Sequence, residues 1–274
     1  MSQLAILNQK GGVGKTTTAV NLSAALADLG RRVLLVDLDP QAHATLHLGV
    51  SPTDDVSSVY DVLCRGEKIE NAVRQLEGGL HLVPSSIDLA AAEVELAGEV
   101  GRELLLRDHL ARVVADYDHV LIDCPPSLGV LTLNALAAVD EVFIPLQPHF
   151  LALHGLSKLL ETIDIVARRI NGKLKLGGVV FCMYEAGTRL AAEVTRDVDE
   201  FFERTRGGAT PWSQAAPFKT RIRRNIRLAE APSFGQSIFQ YAPDSHGSSD
   251  YRALAEEVAE RNAAGVKPQA SRAA

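Results

Sequence analysis

Lys10-Gly11-Gly12-Val13-Gly14-Lys15-Thr16-Thr17 stands between an apolar run at residues 4–8 (LAILN) and a helix-period stretch at residues 16–29. Glycines without Cβ let backbone N–H groups close around an anion. A helix starting at Thr16 adds its positive end, and Lys15 reaches the outer oxygens. The Thr16 hydroxyl is placed for Mg²⁺ and Thr17 for an inner phosphate. Strand, glycine loop and helix in this order predict a nucleotide-binding α/β domain, and the rest of the chain repeats the rhythm.

Outward from the loop, further strands are expected at residues 32–36 (RVLLV), 80–84, 119–122 (HVLI), 141–145 and 176–183. Helices are expected at 101–117, 154–170, 189–205 and 250–262. Near-continuous apolar strands suit a sheet covered on both faces. The expected fold is a single-domain P-loop NTPase, a mostly parallel twisted sheet with helices on both faces. It spans residues 1–262, and the small, polar stretch 263–274 is expected to be a disordered tail.

Carboxylates fall where such a sheet places ligands, outside the carboxyl ends of its strands. Asp37 and Asp39 close the second strand in VDLDPQA, and Asp123 closes HVLID. Asp37 and Asp39 together are candidates for orienting an attacking water and holding Mg²⁺ through water, and Asp123 for touching the metal shell through water. Cys124 reads as a buried strand-end cysteine, with no basic partner to make it a nucleophile. His43, His47, His149 and His154 lack metal-ligand spacing and read as surface or capping residues.

Composition narrows the classes. The chain has 274 residues, 46% hydrophobic and 23% charged, which excludes disordered and fibrous proteins. Its formal net charge of −6 excludes a uniformly basic nucleic-acid binder but leaves room for a local basic patch. Cys64, Cys124 and Cys182 lie far apart without a CxxC pair, so neither a disulfide framework nor a zinc cluster is expected. No apolar run reaches the ~18 residues of a membrane span, and the first eight residues lack a signal peptide's basic start.

The KGGVGKTT loop resembles the deviant Walker A box of the ParA/MinD family of P-loop ATPases, with Gln9 at the usual first glycine and Lys10 as an extra lysine. The resemblance continues through residues 122–163 (IDCPPSLGVLTLNALAAVDEVFIPLQPHFLALHGLSKLLETI), 181–194 (FCMYEAGTRLAAEV) and 223–238 (RRNIRLAEAPSFGQSI), which look like ParA/Soj boxes. It implies an ATPase using ATP and Mg²⁺, and a homodimer sandwiching ATP with Lys10 acting across the two-fold axis. It also implies hydrolysis governed by Asp39, and nucleotide contacts by Lys10, Gly11, Gly12, Val13, Gly14, Lys15, Thr16, Thr17, Met183 and Asn225. Implied partners are non-specific double-stranded DNA and a ParB-like activator, with no membrane, and the implied location is cytoplasmic and nucleoid-associated. The cargo would be a chromosome, a plasmid or a protein assembly. Three boxes depart from the family: Ala42-His43 replaces GN, Ile222-Arg223-Arg224-Asn225 replaces IPRN, and Ser245-His246-Gly247 replaces SRG.

Lys219, Arg221, Arg223, Arg224 and Arg227 form a basic run without an acid. Such a run is a solvated segment, an intramolecular partner for acids elsewhere, or a counterion-releasing DNA surface. The resemblance favours DNA, with Arg189 and Arg196 extending the patch. Two other classes stay open: a MinD-like membrane ATPase, disfavoured by the polar tail, and a metabolic P-loop amide or carboxylate synthetase, disfavoured by Lys10 and the basic run.

Overall fold

β1 (Ser2–Ile6) lies inside the sheet because both its edges are paired, in parallel, with β5 (His119–Asp123) and β6 (Glu141–Leu146). The computed structural model describes residues 1–53 and 56–265. The sheet order is β3-β4-β2-β5-β1-β6-β7-β8, with β2 at Val33–Asp37, β3 at Arg74–Gln75, β4 at Leu80–Val83, β7 at Lys175–Tyr184 and β8 at Pro217–Arg223. Every pairing is parallel except β3 with β4. Helices between the strands are α1 (Lys15–Asp28), α2 (His43–His47), α3 (Val59–Cys64), α4 (Ile69–Ala72), α5 (Ala92–Glu95), α6 (Leu105–Leu110), α7 (Val130–Ala138), α8 (Ala152–Arg169) and α9 (Arg189–Thr205). After β8 come α10 (Ile226–Glu230), α11 (Ile238–Tyr241) and α12 (His246–Gly265).

Strand side chains alternate between two cores. Leu4 and Ile6 of β1, Leu35 of β2 and Leu121 of β5 pack with α1 and with Tyr251, Leu254 and Val258 of α12. Ala5, Leu34, Val36, Val120 and Ile122 face the other way, toward Leu131 and Leu136 of α7, Leu159 and Ile163 of α8 and Val198 of α9. Each strand therefore reads as continuously apolar although each residue faces only one layer. The glycine pair of β7 has a packing reason: a Cβ at Gly177 would run into the Phe143 ring, and one at Gly178 would meet the Phe218 ring at 2.6 Å. Phe143 and Phe218 meet edge to face above them, with centroids 4.8 Å apart.

Most expected elements are present, shifted by one or two residues at their ends. The single helix expected over 101–117 is instead three pieces: a 3₁₀ turn at Arg102–Leu104, α6, and a second 3₁₀ turn at Val114–Asp116. From Arg112 onward the backbone bonds are i→i+3, as in Val113 N–H to Leu110 C=O, and the β-branched pair Val113-Val114 crowds a regular turn there. The last helix starts earlier and runs later than 250–262, so the expected tail from 263 begins inside it. Residues 266–274 of that tail lie outside the described residues. β8 was not foreseen. Its sequence PFKTRIR buries only Phe218 and Ile222, and its charges hide the strand period.

Candidate nucleotide site

The phosphate loop follows β1, Asp37 and Asp123 end β2 and β5, and Met183 and Asn225 stand at the ends of β7 and β8. After β1, Gly12 and Gly14 adopt φ of 73° and 92°, a left-handed region that L side chains avoid. Val13 between them is buried and pins the loop to the core. Gly14 precedes α1 without any side-chain cap, so the first N–H groups of the helix are left for a ligand. A Cβ at Gly11 or Gly12 would meet nothing within 4 Å, so the loop surrounds open space rather than protein. Lys15 is nearly buried and folds back over the loop, its Nζ donating to the Lys10 carbonyl at 3.3 Å. Lys10 points elsewhere: it is exposed, and its Nζ lies 2.7 Å from His149 Nε2, beyond β6.

The two strand-end aspartates Asp37 and Asp123 pair in register across β2 and β5, and both are fully buried. Their surroundings differ. Asp37 Oδ2 accepts from the Thr45 N–H (2.8 Å) and hydroxyl (2.7 Å), and its Oδ1 accepts from the Asp39 N–H (3.2 Å). Burial pushes its carboxyl up to about 6, with the Thr45 bonds pulling the other way. Neither oxygen of Asp123 has a hydrogen-bond partner of good geometry. Burial first, and then the charge of Asp37, raise the Asp123 carboxyl well above the usual range, offset in part by the nearby Thr16 hydroxyl and the Lys15 charge. A fully buried carboxylate with both oxygens unanswered, beside a threonine and a lysine, suits a hydrated divalent cation. The donor set therefore fits Mg²⁺, with Thr16 and, through water, Asp123 as the residues that would hold it, whereas the structure turns Asp37 inward to Thr45.

Asp39 sits one turn out. Its Oδ1 accepts from the Gln41 N–H at 2.9 Å and its carbonyl from the Ser85 hydroxyl at 2.8 Å, while Ser85 N–H donates to Thr45 Oγ1. Thr45 and Ser85 thus fasten the Asp37–Asp39 turn to the end of β4, a role no motif announced. The departure Ala42-His43 acquires a backbone meaning, since Ala42 holds φ at 52°, a conformation natural to glycine. His47 is not a surface histidine as expected. It is buried, with Nε2 unpartnered, and burial lowers it to about 4.

Met183 is the other left-handed non-glycine among the described residues, with φ 49°, and follows Cys182, whose Sγ would lie 3.7 Å from a Cβ at Gly14. Asn225 caps α10 by accepting from the Arg227 N–H at 2.8 Å, and the Arg224 N–H bonds the Tyr184 carbonyl at 3.3 Å. Met183 thus follows a residue packed by Gly14, and Asn225 lies one residue from the contact that ties β8 to the end of β7. Cys124 and Cys182 are buried, and burial raises both thiols, that of Cys182 to about 12. Neither is a poised nucleophile.

The basic run is mostly answered by acids. Arg223 donates to both oxygens of the nearly buried Asp250 (2.6 and 3.1 Å), which also accepts the Arg223 N–H. Arg224 pairs with Glu185 (3.1 Å), Arg227 with Glu230 (2.8 Å) and Arg196 with Glu200 (3.9 Å). Arg221 stacks 4.5 Å over the Tyr184 ring and donates to its hydroxyl at 2.7 Å. Lys219 and Arg189 are exposed, and among the described residues their side chains have no acidic partner. The edge strand that carries this run is closed off by α12, where Glu257 accepts the N–H groups of Lys219 and Thr220 at 3.0 Å each.

A left-handed glycine turn under an uncapped helix end, with a lysine folded over it and a carboxylate row behind, defines a P-loop nucleoside triphosphatase. A family profile described as an AAA domain matches residues 1–176. The chain is 45% identical to the sporulation initiation inhibitor protein Soj of Bacillus subtilis, over 93% of this chain and 97% of that one. It is 48% identical to the chromosome-partitioning ATPase Soj of Thermus thermophilus, over 94% and 96%. Among solved structures it superposes with TM-score 0.81 and 38% identity on a Mycobacterium smegmatis protein described as cobyrinic acid a,c-diamide synthase with ADP and magnesium, covering 97% of each chain. The chain belongs to the ParA/Soj family of chromosome-partitioning P-loop ATPases, and it works on ATP with Mg²⁺. Among the described residues no helix is long and apolar enough to cross a membrane.

Proposed function

We propose that this ATPase pairs around ATP, binds double-stranded DNA without sequence preference as the pair, and is released when a ParB-like partner stimulates hydrolysis. The observation that carries the reading is the divergence of the two loop lysines. Lys15 folds over its own loop, whereas Lys10 extends away from it to the rim. A lysine so placed serves a second chain's phosphates more readily than its own.

In this reading Gly11 through Thr17 hold the phosphates, with Met183 and Asn225 beside them. Lys15 and Lys10 neutralise charge on the transferring group from the two sides. Asp39 orients the attacking water with the carboxylate oxygen that Gln41 does not use. Bound Mg²⁺ supplies positive charge to the phosphate oxygens. Positioning and fixed charge carry the chemistry, as no strong general base stands in the motifs.

For DNA, exposed ion pairs such as Arg224–Glu185 and Arg227–Glu230 are weak enough for the arginines to turn to phosphates. Lys219 and Arg189 need no such exchange, and Arg221 shares the strand β8 with Lys219. Arg223, committed to a nearly buried acid, is left out of this contact set. Partition of a chromosome or plasmid, or placement of a protein assembly, would follow from the cycle, in the cytoplasm on the nucleoid.

The name of the M. smegmatis protein favours a second reading, amide synthesis on a small acceptor. Against it, the groove between α9 and β8, lined by Tyr184, Thr195, Arg196, Asp199 and Arg221, shares no residue with the phosphate loop. Duplex DNA binding with ATP, ADP or no nucleotide, alongside the mass in solution, separates the two. ATP-dependent pairing with DNA binding that weakens as salt rises supports the partition reading. A single chain that ignores DNA in every state overturns it and leaves the synthase.

A further inference from the structure

Lys10 is held from the β6 side at two points. Asn8 bridges backbone to backbone: its Nδ2 donates to the Pro145 carbonyl at 2.7 Å and its Oδ1 accepts the Lys10 N–H at 3.0 Å. The side chain is met by His149, three residues after β6, through the 2.7 Å contact to Nε2. The His149 ring is itself oriented. Its Nδ1 accepts from the Leu151 N–H at 3.0 Å and its carbonyl from the Ala152 N–H at 2.9 Å, which fixes the ring at the entry to α8 with Nε2 toward the loop.

This arrangement cannot be satisfied in full. A neutral imidazole has one lone pair for hydrogen bonding, and two donors face it, the Leu151 N–H and the Lys10 ammonium. At any instant one of them goes unanswered. A protonated ring has no lone pair and carries a charge of the same sign as Lys10. Lys10 is the charged group that faces the ring. The neighbours Pro148, Phe150 and Leu151 carry no charge, and Lys15 is turned to the Lys10 carbonyl. Burial and the Lys10 charge both hold the ring below its ordinary titration range.

We propose that His149 is a positioning residue for Lys10: its neutral ring tethers the Lys10 ammonium weakly within the single chain, and its protonation releases Lys10 toward a second copy's nucleotide. This rests on the reading of Lys10 as a group that acts across a dimer. The tether follows from its chemistry. A carboxylate in that place would hold the ammonium firmly and without regard to pH near neutrality, whereas an imidazole holds it loosely and lets go as protons bind.

The test has two arms. In the nucleotide-free protein, the His149 ring is followed by NMR through a pH titration, with and without Lys10→Met. Loss of the neighbouring cation should raise the ring's midpoint by about half a pH unit or more. In the second arm, ATP-dependent pairing is measured by sedimentation at about pH 7.5 and about pH 6, expected to tighten about threefold or more in the unmodified protein. His149→Asn keeps an acceptor for the Leu151 N–H but does not titrate, so it retains the helix entry and should lose this pH response. An unchanged midpoint in Lys10→Met overturns the tether. A shifted midpoint with the same pH response in His149→Asn overturns the release. Absence of ATP-driven pairing at every pH, with the ring still responding to Lys10, overturns the dimer reading and the release together.

Discussion

The phosphate-loop end of the sheet and the basic strand at its edge both concentrate charge, and the fold treats them in opposite ways. At the loop, Asp123 is fully buried with neither oxygen in a hydrogen bond of good geometry, and the N–H groups that open α1 have no side-chain cap. At the edge, the arginines of β8 and its flank find Asp250, Glu185 and Glu230 within the same chain. A polypeptide keeps a buried charge unpaired only at a cost in stability, which a ligand can offset. Where charges meet partners at the surface, little stability is at stake and little is held in reserve. The contrast separates a site built around a ligand from a surface on which binding must compete with existing pairs.

The strongest way to break the comparison is Asp123→Asn. Replacing a buried carboxyl that folding must protonate by a neutral amide should stabilise the nucleotide-free protein by about 1–3 kcal/mol in denaturant unfolding, while Mg²⁺-dependent ATP hydrolysis falls sharply. A destabilised variant would mean that Asp123 is already paid for by the protein. His47 offers a pH version. It is buried neutral at about 4 against 6.5 unfolded, so its contribution is complete above pH 6.5 and is lost as pH falls toward 4. His47→Gln should flatten that acid limb by at most about 1.4 kcal/mol per pH unit, seen in unfolding midpoints from pH 7 to 4.5.

At the edge, Asp250→Ala leaves the Arg223 N–H and guanidinium without their acceptor and should cost about 1–2 kcal/mol. Arg224→Ala, losing an exposed pair, should leave the unfolding midpoint within error while weakening duplex DNA binding at low salt. Equal losses of stability in both would erase the distinction drawn among these arginines. The smallest effect is expected at Ala42→Gly. Relief of a left-handed φ, about 1–2 kcal/mol, is offset by about 0.5–1 of backbone entropy and about 0.8 for the buried methyl, leaving a change near zero. Ala25→Gly inside α1 has no such relief, and a clear loss there by the same unfolding assay completes the pair.

The loop, its two lysines and the three strand-end aspartates were legible in the sequence because each is a local pattern. Glycine tolerance, helix polarity and a strand leading into an acid act within a few residues of one another. The family boxes along the chain brought Met183 and Asn225 into the expected contacts by the same route. Ser85 was not legible, because its bonds to Thr45 and to the Asp39 carbonyl span 40 residues or more, and Thr45, eight residues beyond Asp37, stands in no motif. His149 reads in the sequence as a surface or capping residue, and the structure adds the task of facing Lys10. The strand β8 was hidden by its own charges.

What the sequence determined by itself is the chemistry that short-range order can hold: a phosphate loop, a parallel sheet to carry it, and the acids that end its strands. What only the tertiary structure decided is which charges are answered. Asp37 and Asp123 look alike in sequence, yet one faces Thr45 and the other faces no donor of good geometry. The basic run looks uniform, yet Arg223 is bound to a nearly buried acid while Lys219 is not. Electrostatic pairing acts through space over a few ångströms between residues far apart in the chain, so it is settled only when the layers close.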